Sequence, residues 1–205
     1  MFSNWHPAWR YLGGSAFVLL LLVLLLAGPE IIGKDQSPPL VIFCAAGLRE
    51  PVTKIAGDYE AATGQGVDLR FDGSESLLNS LLLGAPCDIY FPADESYIAL
   101  AGIRGIHIDE VVTIASQRAV LVTASGNPKN IQSWNDLFDK KATIAQAQPD
   151  AAAIGRLTRE YLSRSGRWGQ LDRHTLVYLG TVTDVVNAVS LATADAGIVW
   201  DVLAV

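Results

Sequence analysis

Hydrophobic positions along this chain fall into two regimes. From Ala16 to Ala27 the sequence AFVLLLLVLLLA has no polar side chain, and Tyr11 to Ala27 extends the run to 17 residues. As a helix this segment would be about 25 Å long, slightly short of a ~30 Å hydrocarbon core. Arg10 precedes it, and Pro29 with Glu30 ends it. Leucine on every face at the extreme N-terminus argues against a core helix. Residues 1–33 therefore read as a cleaved signal peptide or an uncleaved membrane anchor. Leu25-Leu26-Ala27 puts leucine where a cleavage site wants a small residue, which favours the anchor, and no cysteine follows for a lipid. Residues 34–39, KDQSPP, form a polar linker.

From Leu40 onward, short apolar runs alternate with helical spacing. LVIFCAA (Leu40 to Ala46) suits a strand buried on both faces. Pro51 opens a helix on which Val52, Ile55, Ala56, Tyr59 and Ala62 share a face, stopped by Gly64. Val67, Leu69 and Phe71 alternate as a strand. Leu77, Leu78, Leu81 and Leu82 predict a helix ending at Gly84, Asp88 to Phe91 a strand, and Glu95 to Ala101 a helix. A second series has strands at Ala119 to Thr123, Thr143 to Ala145, Thr175 to Leu179 and Gly197 to Trp200. Its helices are a short one at Trp134 to Phe138 capped by Ser133, one from Ile154 to Gly166, and one near Thr183 to Ala192. Alternation of this kind implies parallel sheets with right-handed crossovers. The fold class expected is α/β in two lobes, residues 40–118 and 119–205, each with a mainly parallel sheet.

Composition alters this picture only in what it excludes. Half the residues are hydrophobic and mean hydropathy is +0.29, but the excess lies in the N-terminal run. No second run approaches the ~20 residues of a membrane span, so a polytopic protein is excluded. Fifteen Lys+Arg against 21 Asp+Glu give a net charge of -6, which argues against a nucleic-acid partner. Cys44 and Cys87 fall toward opposite ends of a parallel sheet, so two buried free thiols are expected rather than a disulfide.

Candidate chemistry sits beyond the carboxyl ends of the first two strands, where open parallel sheets bind ligands. Ala45-Ala46-Gly47-Leu48 and Asp72-Gly73-Ser74-Glu75-Ser76 both feed helices, whose first N–H groups lack partners and carry partial positive charge. Facing one cleft, they would bind an anion without a cation. The alternative makes Gly47 a turn residue and Ser74 a helix cap. No nucleophile elbow, phosphate loop or dinucleotide fingerprint is present, and His6, His107 and His174 are scattered. Asp94-Glu95 and Asp109-Glu110 read as solvated pairs, and Trp200 as core or cleft. Neither an enzyme nor a metal held by side chains is expected.

Several blocks carry a family likeness: FCAAGLREP (Phe43 to Pro51), FDGSESLL (Phe71 to Leu78), GAPCDIYFPADESYI (Gly84 to Ile98), AVLVTASGNP (Ala119 to Pro128), Gln148 to Leu162, and ADAGIVW (Ala194 to Trp200). In this order they resemble the periplasmic molybdate-binding proteins of ABC importers. The resemblance implies a class II periplasmic-binding-protein fold that closes on molybdate, tungstate or a similar tetrahedral oxyanion, with no other cofactor. It implies an ABC permease as partner, a monomer, and an exported location, periplasmic or at the outer face of the cytoplasmic membrane, where residues 11–27 read as an anchor would hold it. Carried over by motif, the oxyanion-binding positions are Gly47 (in place of a serine), Ser74, the backbone of Ile154 and of Val185, and Trp200 (in place of a tyrosine). A site built only of donors would favour a fully ionised dianion over a protonated one. The family continues past the ADAGIVW strand and back into lobe one, so the C-terminal part of that lobe is expected to be missing here. A membrane-anchored sensor or decayed paralogue on the same fold is the alternative function.

Overall fold

Six apolar residues, Leu40–Ala45, form β1 at the centre of a three-stranded parallel sheet of order β2-β1-β3. The computed structural model describes Leu22 and residues 37–204, so the membrane-anchor reading and the first half of the linker lie outside the described residues. Among those described, no helix is long and apolar enough to cross a membrane. β2 (Val67–Asp72) runs beside β1 in register from Leu40↔Val67 to Ala45↔Asp72. β3 (Ile89–Phe91) pairs on the other side from Ile42↔Ile89 to Cys44↔Phe91. A central strand with covered faces tolerates no polar side chain, and β1 has none.

Three helices connect this sheet: α1 (Arg49–Thr63), α2 (Ser74–Leu82) and α3 (Ser96–Ile103). Gly64 ends α1 at φ 74°, a left-handed position in which its N–H reaches the Glu60 carbonyl. Pro51 was expected at the first helical position. A 3-10 turn over Ala46–Leu48 instead leads directly into α1, putting Pro51 third, where its missing N–H is still harmless.

The second sheet has the order β4-β7-β5-β6, with β4 (Ala119–Thr123), β5 (Ile144–Ala147), β6 (Thr175–Leu179) and β7 (Ala196–Trp200). β5 runs parallel to both β6 and β7, and β4 antiparallel to β7. Every residue of β5 and β7 is buried. The helices here are α4 (Asp136–Asp139), α5 (Ala153–Arg164), α6 (Trp168–His174) and α7 (Val182–Ser190). α6 carries no helical stripe in the sequence, because Leu171 is its one buried residue. α4 is shorter than expected. Ser133 does accept from the Asp136 N–H, at 3.3 Å, while Asp136 Oδ2 takes the N–H groups of Gln132 and Ser133.

The main core packs Leu137, Ile144, Leu171, Val185 and Val199 around the second sheet and reaches Leu78, Tyr97 and Ala101 of α2 and α3. A smaller core of Ile42, Cys44 and Val52 lies against the first sheet. Both cysteines are free. Cys44 is fully buried, and burial pushes its thiol up to about 12. Cys87 is only half-buried, which corrects the expectation of two buried thiols, because it sits in the turn before β3.

Candidate functional site

The carboxyl ends of β1, β2, β3, β5, β6 and β7 converge on one cleft. Its lining runs through Ala45, Ala46 and Gly47, then Asp72, Gly73 and Ser74, then Ala93, Ala152, Ala153 and Ile154, and ends with Thr181, Val182 and Trp200. Four of the five sequence-derived positions, Gly47, Ser74, Ile154 and Trp200, meet here.

Val185 does not. It is 0% exposed, one turn into α7, and its N–H already donates to the Thr181 carbonyl at 3.4 Å. The residues of this helix that face the cleft are Thr181 and Val182. A capping box fixes that end: the Asp184 N–H donates to Thr181 Oγ1 at 3.2 Å, and the Thr181 N–H donates to Asp184 Oδ2 at 3.3 Å. The Thr181-x-x-Asp184 spacing is visible in the sequence and would have placed the helix start correctly.

Ser74 is 1% exposed. It is the first residue of α2 and does not cap it; Gly73 occupies the cap position. Ser74 Oγ accepts from the Ala93 N–H at 3.1 Å, and the Tyr90 hydroxyl donates to the Ser74 carbonyl at 2.7 Å. The Ser74 hydroxyl proton has no acceptor among the described residues, leaving a buried, oriented donor at the cleft wall. Across from it, α5 has no side-chain cap on Ala152, so the N–H groups of Ala153 and Ile154 lack intrahelical partners. Trp200 is 4% exposed, part of the main core as well as of the cleft, and its indole N–H donates to no described residue.

Hydrogen bonds to backbone carbonyls join the two halves around the cleft: the Glu75 N–H donates to the Ala151 carbonyl at 2.9 Å and Thr183 Oγ1 to the Ala46 carbonyl at 3.2 Å. Gly73 is required by this approach: a β-carbon there would lie 2.4 Å from the Ala151 oxygen. A β-carbon at Gly47 would lie 2.9 Å from Val182 Cγ1 and 3.4 Å from Trp200 Cδ1. Further along α5, the Arg156 guanidinium sits 5.0 Å over the Tyr97 ring while its Nε bonds Glu160. Burial, aided by the Glu75 charge, raises the Tyr97 hydroxyl above its ordinary range.

Among the described residues, no lysine, arginine or histidine lines the cleft, and the one charged residue along it, Asp72, is exposed. Asp72 Oδ1 accepts from the Gly73 N–H at 2.7 Å. Among the described residues, no three His, Cys, Asp or Glu gather as a metal-binding set.

A sequence profile of the bacterial extracellular solute-binding proteins matches residues 40–205. The molybdate-binding protein ModA of Mycobacterium tuberculosis is 31% identical over 175 residues, covering 85% of this chain and 64% of that protein. The chain thus spans somewhat less than two thirds of the length of this relative. A sulfate-binding protein of Synechococcus elongatus is 26% identical over 160 residues, covering 74% of this chain and 45% of its own. Among solved structures, the periplasmic molybdate-binding protein of Azotobacter vinelandii superposes with a TM-score of 0.67 at 22% identity, covering 78% of this chain and 71% of that one. The sulfate-binding protein SubI of Mycobacterium tuberculosis superposes at 0.65 and 19% identity, covering 80% and 65%. These likenesses place the fold with the periplasmic binding proteins.

Proposed function

Because this chain belongs to the bacterial extracellular solute-binding protein family, we propose that it captures a small tetrahedral oxyanion in the cleft and delivers it to an ABC-type permease. Molybdate and tungstate are the first ligands to try, since the relatives matched include molybdate-binding proteins. The observation that carries the reading is Ser74, a buried hydroxyl with a free proton, facing the uncapped start of α5 in a cleft without cations. Fixed dipoles of this kind replace the water of an anion without a counter-ion.

In this reading residues 40–118 and 119–205 are two lobes that close on the ligand, with Gly47, Ser74, Ile154 and Trp200 around it. The Val185 role passes to Thr181 and Val182. The chain acts as a monomeric binding protein, not an enzyme, exported and held at the outer face of the membrane by residues 11–27. A thermal-shift panel of molybdate, tungstate, sulfate and phosphate tests it. A specific ligand at about 100-fold its Kd adds about 2.7 kcal/mol of stability. No shift with any of the four sinks the reading.

One observation favours a second function, a sensor or decayed paralogue. Val182 and Trp200 press on the place where a side chain at position 47 would stand. That reading expects the fold and a partner protein, with no oxyanion-dependent shift.

A further inference from the structure

We propose that Arg156 and Tyr97 are positioning residues for the bound oxyanion: a hydrogen bond from the Arg156 guanidinium to the Tyr97 hydroxyl locks the start of α5 against the loop that holds Ser74. This inference rests on the oxyanion reading above. Among the described residues, three buried side-chain nitrogen or oxygen atoms make no hydrogen bond, and two of them, Tyr97 Oη and Arg156 Nη1, belong to one stacked pair. Tyr97 is 1% exposed and lies in the first turn of α3. Arg156 lies in the first turn of α5, its guanidinium carbon 5.0 Å from the centre of the Tyr97 ring. Arg156 Nε donates to Glu160 Oε1 at 2.8 Å, which fixes the guanidinium without using Nη1.

Buried polar groups without a partner carry a desolvation penalty that a hydrogen bond removes. These two are complementary. A guanidinium only donates, while the phenol oxygen, kept protonated by burial and by the Glu75 charge, still accepts. The bond between them is charge-assisted and so of the stronger kind. Forming it takes a small approach of α5 to α3, which is also an approach of the two walls of the cleft. Ala93, whose N–H anchors Ser74 Oγ, precedes Tyr97 by one helical turn of sequence. Ala153 and Ile154, whose N–H groups lack intrahelical partners, immediately precede Gly155 and Arg156. Drawing Arg156 onto Tyr97 therefore draws the α5 donors toward Ser74. An oxyanion held between the two donor sets favours that arrangement over the looser one, and the buried pair is completed as the ligand binds. Neither residue lines the cleft, so both act through the donors they position.

The experiment is calorimetric and stopped-flow titration of the protein with molybdate, tungstate, sulfate and phosphate. The tightest-binding of the four is then titrated into Tyr97→Phe, Arg156→Met and the double variant, and all are melted without ligand. Tyr97→Phe keeps the ring and removes only the hydroxyl. It is expected to weaken binding about tenfold, mainly through faster release. Its ligand-free melting temperature stays level or rises, because a buried oxygen without a partner has gone. Arg156→Met keeps an unbranched stem and removes the donors, so it too weakens binding. Adding Tyr97→Phe to it costs nothing further, the signature of one shared bond. A pair that only supports the fold would lower ligand-free stability in step with affinity, and that result overturns the inference. Undiminished binding by Tyr97→Phe overturns it as well, and so do losses that multiply in the double variant. Each of these leaves the oxyanion reading standing. If none of the four anions binds the wild-type protein, the oxyanion reading itself has failed, and this inference with it.

Discussion

At Gly47 a side chain would have to share space with Val182 Cγ1 at 2.9 Å and Trp200 Cδ1 at 3.4 Å. Replacing the glycine by serine to supply a hydroxyl thus overpacks the cleft before it helps binding. Such insertions typically cost about 1–3 kcal/mol. Gly47→Ser alone is expected to lower the melting temperature and weaken oxyanion binding, whereas Gly47→Ser with Val182→Ala recovers both. Equal losses in the single and double variants, measured by thermal melts and titration, would show that Val182 is not the obstacle. The cysteines give a second test at this scale. With its thiol pushed up to about 12 by burial, Cys44 stays neutral and covered, while Cys87, raised less by its half-burial, is partly accessible. In native protein an aromatic disulfide reagent at about pH 8 should modify Cys87 first, and Cys44 only after denaturant is added. Rapid labelling of both thiols in the native state contradicts this burial.

Between elements, the contact that matters most is the one joining the start of α2 to the loop before α5. Gly73 allows it, and the Glu75 N–H to Ala151 carbonyl bond holds it. Gly73→Ala would drive a β-carbon into backbone atoms that no rotamer can move aside. The expected result is a destabilisation of about 1–3 kcal/mol in denaturant titrations, with oxyanion affinity reduced more than tenfold. A variant as stable as the parent would mean the two loops do not approach so closely.

Asp195, just before β7, ties that strand to β5. Its Oδ2 accepts from the Thr143 N–H at 2.7 Å and the Thr143 hydroxyl at 2.5 Å, and it pairs with Lys129 Nζ at 3.0 Å. Burial alone would raise its carboxyl, but the Thr143 and Lys129 contacts outweigh that and hold it below the ordinary range. Its stabilisation is therefore fully present above the unfolded carboxylate range and is lost as pH falls through the lowered native value. Asp195→Asn should cost about 1–3 kcal/mol at neutral pH, and its melting temperature should fall less steeply below about pH 4 than that of the parent. Parallel acid profiles would remove this role.

The strands were legible because continuous apolar runs such as Leu40–Ala45 and Ala196–Trp200 admit few other uses. α6 was not, since a helix burying one residue leaves no periodic stripe. In the site, Ser74 could be read from a loop entering a helix. Val185 was placed a turn too deep, because its helix start depends on the Thr181–Asp184 box rather than on hydrophobic spacing.

For the molecule as a whole, a net charge of -6 offers an anion no long-range attraction, so the proposed capture would rest on local donors at the ends of β2 and β5. Affinity should then change little between low and moderate salt, unlike that of a site built on lysines. The fold supports this division of labour: two sheets, linked by hydrogen bonds such as Glu75 N–H to the Ala151 carbonyl, turn their carboxyl ends toward one cleft. The most direct test of the central claim is calorimetric titration of the wild-type chain and of Ser74→Ala with whichever of molybdate, tungstate, sulfate and phosphate binds best. The account predicts saturable one-to-one binding to the wild type and, with the Ser74 hydroxyl removed, a loss of about tenfold or more in affinity. Undiminished binding by a folded Ser74→Ala protein, or no binding of any of the four to the wild type, would contradict it.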